Sequence, residues 1–199
     1  MNKNREDINT FEYWDAWYKQ FDSSKVCLDM ELDKGRFDRI IELFPQKEGL
    51  KILDIGCGRG AFVRYAKENF SYKVEYTGYD ISQLAIDKAK ELDKESKYEV
   101  IEWKDYNTNK KFDVICLGEV LEHIEDTDVF VSKLHQMTNI KAILTVPKED
   151  DNDNDAHIYS FKSDDIFNVF RLWYPVSVSF LQVRNPYRIN SHWLIEANK

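Results

Sequence analysis

The chain has 199 residues, a length that suits one domain with one sizeable hydrophobic core. Its formal net charge of −8 disfavours nucleic acid as a partner, because proteins that bind nucleic acid usually present a basic surface to the phosphates. The sequence shows neither an apolar run of membrane-spanning length nor a signal-peptide core near residue 1, so we expect no membrane insertion. Together with three scattered cysteines, this favours a cytoplasmic protein with free thiols.

Two helices are predicted at the start of the chain. Aromatic and apolar residues recur at three- and four-residue spacings over residues 11–21 and again over residues 34–44, where Pro45 ends the pattern. Tyr13, Trp14 and Tyr18 of the first helix could fold over a ligand as a lid or pack on a sheet. We expect residues 1–48 to form a helical cover on a core made of residues 49–199, within a single domain.

From residue 51 onward, predicted strands alternate with predicted helices. Such an alternation predicts an α/β fold with a parallel sheet that is covered on both faces. Two strand-like segments close the chain and predict an antiparallel edge. The strands are expected at 51–55, 74–79, 98–103, 112–117, 141–146, 176–183 and 191–197, and the helices at 61–70, 82–95, 126–137 and after Ser163, their expected N-cap.

The sequence KILDIGCGRG, residues 51–60, is the strongest candidate for a ligand site. Here a predicted buried strand turns through Gly56, Gly58 and Gly60 into a helix. Glycines allow the backbone to approach a ligand where a side chain would collide with it. In an open parallel sheet the ligand lies beyond the carboxyl ends of the strands, which is where this loop is placed.

Three further predicted strands are followed by carboxylates at the same edge, namely Asp80, Asp105 and Glu119. Asp80 comes 26 positions after Asp54, a spacing at which an acid can accept both hydroxyls of an adenosine ribose. The alternative is that Asp80 only caps the helix that begins near Ser82. Asp105 is either an acceptor for an adenine amino group or a solvated loop acid. The pattern predicts a site for an adenine-containing cofactor.

The motifs ILDIGCGRG, YTGYDIS and FDVICLGEVLEHIED, in this order, resemble the successive motifs of class I S-adenosylmethionine-dependent methyltransferases. GEVLEHI resembles their small-molecule branch, which includes ubiquinone-biosynthesis and sugar O-methyltransferases. The resemblance implies a Rossmann-like three-layer sandwich with a mostly parallel seven-stranded sheet and an antiparallel C-terminal hairpin. It also implies S-adenosyl-L-methionine as the cofactor, S-adenosyl-L-homocysteine as the product, and a small metabolite that accepts the methyl group on oxygen or nitrogen. We expect a monomer or a homodimer.

The resemblance further implies which residues hold the cofactor. Asp54 and the loop of residues 56–60 would surround the methionine part, Asp80 would hold the ribose, and the region of Asp105 would hold the adenine. A sulfonium donor carries no pyrophosphate, so acids and aromatic faces near it are electrostatically sensible. The expected cofactor contacts are Tyr18, Asp54, Gly56, Cys57, Gly58, Gly60, Asp80, Ile81, Asp105, Tyr106, Gly118 and Glu119.

Histidines are the candidates for chemistry on the acceptor. His123 follows the fourth predicted strand closely, and a neutral imidazole there could take a proton from an attacking hydroxyl or amine. The alternative is a histidine that only packs the turn. His157 is a second candidate, which could instead hold its loop. His135 and His192 resemble ordinary positions on a helix face and in a terminal strand.

Three other functions remain open at this point. RNA 3′-end 2′-O-methyltransferases bind a divalent metal through two glutamates and two histidines. Part of that pattern is present here, in Glu119, Glu122, His123 and His157. A nicotinamide dehydrogenase would also fit the glycine loop, although it gives no account of EVLEHI. A non-catalytic subunit that binds the cofactor is the third possibility.

Two charged features are harder to assign from the sequence. The acidic run of residues 149–155 could recruit a cation, but such runs usually form solvated loops. Basic residues that could bind an anionic substrate, without a pattern that selects them, are Arg36, Arg39 and Arg59.

Overall fold

The computed structural model describes residues 9–20, 26–148, 157–184 and 189–199, with backbone alone at 26–32, 184, 189 and 190. The acidic run of residues 149–155 and the tip of the C-terminal hairpin lie outside the described residues. Among the described helices, none is long and apolar enough to span a bilayer.

The described chain forms helices and strands in alternation. The helices are α1 (Phe11–Gln20), α2 (Val26–Glu42), α3 (Ala61–Asn69), α4 (Gln83–Leu92), α5 (Thr127–Met137) and α6 (Ser163–Val169). The strands are β1 (Lys51–Ile55), β2 (Glu75–Asp80), β3 (Lys97–Val100), β4 (Phe112–Gly118), β5 (Thr138–Pro147), β6 (Val176–Arg184) and β7 (Ile189–Asn198). Single-turn 3₁₀ helices cover Trp103–Asp105 and Leu121–His123.

The strands form one seven-stranded sheet in the order β3-β2-β1-β4-β5-β7-β6. Strands β1 to β5 run parallel, and β7 pairs antiparallel with both β5 and β6. The strand order reverses between β1 and β4, which opens a crevice at the carboxyl ends of the strands. The predicted α/β sandwich with a reversed C-terminal hairpin is confirmed.

Alternating strand residues build two hydrophobic cores, one on each face of the sheet. Leu53 of β1 belongs to the core that holds Phe130 of α5, whereas its neighbour Ile52 belongs to the core that holds Phe62 of α3. Successive side chains of a strand point to opposite faces, so a strand that is apolar throughout must be covered on both sides. This burial fixes the positions of the strand ends that form the crevice.

Several element boundaries differ from the sequence prediction. Helix α2 begins at Val26 and continues through Gly35, where a Cβ atom would lie 3.4 Å from Val183 Cγ1, so the glycine permits close packing on β6. Ser163 is the first residue of α6 and not its cap. The N-cap residue is Lys162, whose amide donates a hydrogen bond to Asp165 Oδ2. Helix α4 ends at Leu92, before the predicted end at residue 95, and Leu92 is 39% exposed there.

Phe130→Ala should lower the free energy of unfolding by about 3–5 kcal/mol, because it leaves a cavity under the sheet. Phe130 is fully buried, while the adjacent Val129 is 46% exposed on the same helix. Val129→Ala is therefore the matched control and should change stability by less than about 1 kcal/mol. Urea unfolding measures both, and equal losses in the two variants would contradict the packing described here.

Candidate functional site

The loop after β1 is shaped by glycines in the left-handed backbone region. Gly56 has φ 68° and Gly58 has φ 52°, values that favour residues without a Cβ. A Cβ on Gly56 would collide with Val120, and one on Gly58 would lie 2.7 Å from the Tyr18 hydroxyl. The loop is therefore held between α1 and the turn that follows β4, with its backbone exposed to the crevice.

Asp80, at the end of β2, ties this loop to the sheet. Its two carboxylate oxygens accept hydrogen bonds from the Gly58 and Ser82 amides, each at 2.8 Å. Burial raises the pKa of Asp80 to about 6, although these hydrogen bonds act against the rise. Ser82, and not Asp80, caps α4, since its hydroxyl accepts from the Ala85 amide. Asp80 lines the crevice and remains able to accept further hydrogen bonds there.

A cavity of about 960 Å³ lies beyond the carboxyl ends of β1, β2 and β4. That volume is at the upper end of the usual range for small-molecule sites. Of the twelve expected cofactor contacts, those that line the cavity are Tyr18, Asp54, Gly56, Cys57, Gly58, Asp80, Ile81, Tyr106, Gly118 and Glu119. The topology thus brings together residues from five separate segments of the chain.

Two expected contacts lie away from the cavity lining. Asp105 ends a 3₁₀ helix, and its amide donates a hydrogen bond to the Glu102 carbonyl. Its side chain is exposed to solvent, whereas Glu102 lines the cavity. Gly60 is the N-cap residue of α3 with φ 74°, and a Cβ there would lie 2.7 Å from the Tyr98 hydroxyl. Gly60 therefore serves the packing of the loop, and on this side Glu102, rather than Asp105, lines the cavity.

Asp54 presents a buried carboxylate at the end of β1. Its Oδ2 atom has no hydrogen-bond partner among the described residues. Burial and the nearby charge of Asp80 raise the pKa of Asp54 to about 8, against the attraction of Arg36. A buried carboxyl group without a partner is costly, and a cation bound beside it would stabilise its ionised form.

Arg36, Glu119 and His192 form a polar network that also lines the cavity. Glu119 Oε1 lies 3.3 Å from Arg36 Nη1 and 3.1 Å from His192 Nδ1. Burial alone would raise the pKa of Glu119, but the hydrogen bond from His192 and the charge of Arg36 lower it to about 2. Arg36 also pairs with Asp33 at 3.0 Å. The sequence pattern selected neither Arg36 nor His192, because Glu119, the partner they share, lies far from both along the chain.

Glu122, His123 and His157 form a second cluster beside this network. Glu122 Oε1 lies 3.9 Å from His123 Nε2 and 4.0 Å from His157 Nε2, and neither carboxylate oxygen of Glu122 has a hydrogen-bond partner among the described residues. One ligand atom from each residue falls within 4.8 Å of the others, so the three could hold a metal ion. Glu119 does not belong to this group, which corrects the four-residue metal pattern suggested by the sequence.

Helix α1 roofs the cavity without contributing a buried residue. Asp15 Oδ1 accepts hydrogen bonds from the Ser82 hydroxyl and, at 3.2 Å, from the Leu84 amide. Arg59 Nη2 donates to the Tyr18 carbonyl at 3.0 Å, and its guanidinium lies 5.4 Å from the Tyr18 ring centre. Trp14 packs edge-on against His123 at 5.1 Å. The helix is thus attached to the glycine loop, to the start of α4 and to the 3₁₀ turn after β4.

Comparison with known proteins agrees with this geometry. A family model described as a methyltransferase domain matches residues 28–177. The chain is 36% identical over 117 residues to the ubiquinone biosynthesis O-methyltransferase of Mesorhizobium japonicum, covering 56% of this chain and 46% of that protein. It is 28% identical over 121 residues to (S)-coclaurine N-methyltransferase of Papaver somniferum, covering 58% of this chain and 34% of that protein. The chain thus spans about half, or less, of the length of these curated relatives.

A solved structure supports the same fold. The structure of magnesium protoporphyrin IX methyltransferase from Synechocystis with bound SAH superposes with a TM-score of 0.69 at 16% identity, covering 95% of this chain and 98% of that one. At this identity the likeness concerns the fold alone. The family model, however, spans well over half of the chain, and the sheet order and sequence motifs agree with it. The chain therefore belongs to the class I S-adenosylmethionine-dependent methyltransferase family.

Proposed function

We propose that this chain binds S-adenosyl-L-methionine in the cavity and transfers its methyl group to an oxygen or nitrogen of a small molecule, leaving S-adenosyl-L-homocysteine. The observation that carries the proposal is the pair of buried acids, Asp54 and Asp80, beside the glycine loop. A sulfonium and an ammonium group complement these carboxylates. The pyrophosphate of a dinucleotide would meet like charge instead, so a nicotinamide dehydrogenase is disfavoured.

We propose the following contacts of the cofactor from the positions of the cavity residues. We assign the methionine part to Asp54 and the Gly56 and Gly58 backbone, with the Arg36 guanidinium above Gly118 facing its carboxylate. Asp80 would hold the ribose hydroxyls. The remaining assigned contacts are Tyr18 and Cys57 around the loop, Ile81 and Tyr106 beside the adenine, Glu102 on its amino group, and Gly118 and Glu119 near the methyl group.

The proposed reaction is an in-line displacement. The acceptor atom attacks the methyl carbon while the bond from carbon to sulfur breaks, so most of the rate should come from holding the three atoms collinear in a dry site. Trp14, His123 and His157 line the part of the cavity next to β4 and β5, where we place the acceptor. The curated relatives are named for O- and N-methylation of small molecules, which supports an acceptor of that size.

The setting of the protein remains an expectation. The described cysteines Cys57 and Cys116 are buried free thiols, which suits a reducing compartment such as the cytoplasm. We propose a single domain that acts as a monomer or homodimer, and sedimentation would establish which.

A metal-assisted variant of this function is the second candidate. The donor set of Glu122, His123 and His157 combines two imidazoles and a carboxylate, the kind of set that holds Zn²⁺ in catalytic sites. Bound there, an ion would supply Lewis-acid chemistry toward an acceptor oxygen. The net charge of −8 gives no support to an RNA substrate for such a site.

Calorimetry with S-adenosyl-L-homocysteine tests cofactor binding directly. Asp80→Ala should weaken binding by more than about tenfold, because it removes the charged acceptor for the ribose and releases the loop. Asp105→Ala is the matched control and should bind as the wild type does, since Asp105 is exposed outside the cavity. Absence of binding to the wild type at high micromolar ligand would refute the proposed function.

The raised pKa of Asp54 predicts how stability depends on pH. Its folded pKa of about 8 lies above the unfolded value of about 3.9, so the folded protein holds a proton that the unfolded chain releases. Stability should therefore fall as the pH rises from about 4 to about 8. Asp54→Asn should remove the contribution of Asp54 to this loss of stability. Relative to the wild type, the variant should therefore be more stable near pH 8 than it is near pH 4.

Urea unfolding at several pH values measures this difference, and Asp105→Asn serves as the exposed control. If the free energies of unfolding of the wild type and the Asp54→Asn variant change in parallel across this pH range, the pKa of Asp54 is not raised and the prediction is wrong.

The metal candidate makes a separate prediction. Zn²⁺ titrated into the protein should bind, and His157→Ala should weaken this binding by at least about tenfold because one of three ligands is lost. His135→Ala is the control, since His135 packs on Trp173 away from the cluster. Equal zinc affinity in the two variants, together with methyl transfer that continues after chelation, would show that the cluster does not bind a catalytic metal ion.

A further inference from the structure

We propose that His192 is the catalytic residue that takes the proton from the acceptor, an inference that rests on the proposed methyl transfer. His192 lies in β7 directly opposite Pro147 at the carboxyl end of β5. It lines the cavity on the side of β4 and β5, away from the ends of β2 and β3 where we place the nucleoside. A proton acceptor for the attacking atom has to lie on this side.

The ring of His192 is held in one orientation by Glu119. Its Nδ1 atom lies 3.1 Å from Glu119 Oε1. Because Glu119 is ionised it can only accept, so we assign the proton of the neutral ring to Nδ1, which leaves the lone pair on Nε2. Nε2 has no hydrogen-bond partner among the described residues. A histidine base oriented by a carboxylate through its other nitrogen is a recurrent arrangement in enzymes.

Glu119 is itself held in place at a structural cost. It is a non-glycine residue with φ 59°, a left-handed conformation that strains a residue with a Cβ atom. That backbone directs its carboxylate to Arg36 and His192 together, at 3.3 and 3.1 Å. Strain of this kind persists only where the surrounding contacts over-determine the conformation, and here Arg36 and His192 supply such contacts.

The other two cavity histidines are placed differently. Glu122 Oε1 is 3.9 Å from His123 and 4.0 Å from His157, distances beyond a hydrogen bond. The two rings pack against each other with their centres 5.0 Å apart, and His123 also packs on Trp14. His123, the candidate from the sequence, is therefore not oriented by Glu122 in the way that His192 is by Glu119.

The step balances as follows. A lone pair on the acceptor oxygen or nitrogen forms the new bond to the methyl carbon, and the electron pair of the breaking bond goes to sulfur, which becomes a neutral thioether. The proton of the acceptor moves to Nε2 of His192. The imidazolium that results is neutralised by the Glu119 carboxylate and later releases its proton to water. Such a base assists only an acceptor whose attacking atom carries a proton that must leave.

Nuclear magnetic resonance of the full chain with ¹⁵N-labelled histidine tests the assignment without any acceptor. The His192 signals, identified by their loss in His192→Asn, should show the proton on Nδ1 at pH 8 and an unprotonated Nε2. A proton on Nε2 would overturn the proposal, because that atom could then accept nothing. Calorimetry with S-adenosyl-L-homocysteine examines cofactor binding separately, and His192→Asn should keep the wild-type affinity within about threefold.

Turnover provides the second readout, with catechol as the hydroxyl probe. His192→Asn should lower kcat by about a hundredfold with little change in KM, and added imidazole should restore part of the loss. His123→Asn should lower kcat by less than about tenfold. A His192→Asn enzyme that keeps more than a tenth of the wild-type kcat overturns the role of His192, while failure of the wild type to bind S-adenosyl-L-homocysteine counts against the proposed function alone.

Discussion

The carboxylate of Asp80 is the contact on which the rest of the site depends. It accepts hydrogen bonds from the Gly58 and Ser82 amides, and so joins the glycine loop, the end of β2 and the start of α4. Ser82 in turn donates to Asp15 of α1, which extends the same network to the roof of the cavity. Asp80 accepts from two backbone amides and so fixes the shape of the loop. Its carboxylate also lines the cavity and can accept further hydrogen bonds from a ligand there.

Electrostatics explain why this arrangement suits a cationic donor. Burial disfavours the charge of both Asp54 and Asp80, and the charge of Asp80 raises the pKa of Asp54 further. Glu119, by contrast, is kept ionised by the hydrogen bond from His192 and the charge of Arg36. The acids beside the glycine loop are thus incompletely compensated, whereas Glu119 is paired. A ligand with a positive centre therefore gains most beside Asp54 and Asp80.

The fold and part of the cavity lining could be predicted from local sequence patterns. The glycine loop, the acid after β2 and the apolar strand β4 each depend on a few consecutive residues, and the structure puts all three at the crevice. Which acid after β3 lines the cavity could not be predicted, because a single 3₁₀ turn decides whether Glu102 or Asp105 faces inward. The start of α2 was also predicted wrongly, because the helix continues through Gly35, where tertiary packing on Val183 favours the small residue.

The sequence by itself determined the order of strands and helices, the family, and the glycine loop, because short-range periodicity and backbone freedom are local properties. Only the tertiary structure decided which distant side chains meet. His192 resembled an ordinary strand residue until the antiparallel register of β7 on β5 placed it beside Glu119. Arg36 likewise reaches Glu119 only because α2 packs over the sheet. Such meetings depend on the packing of whole elements, and no local pattern records that packing.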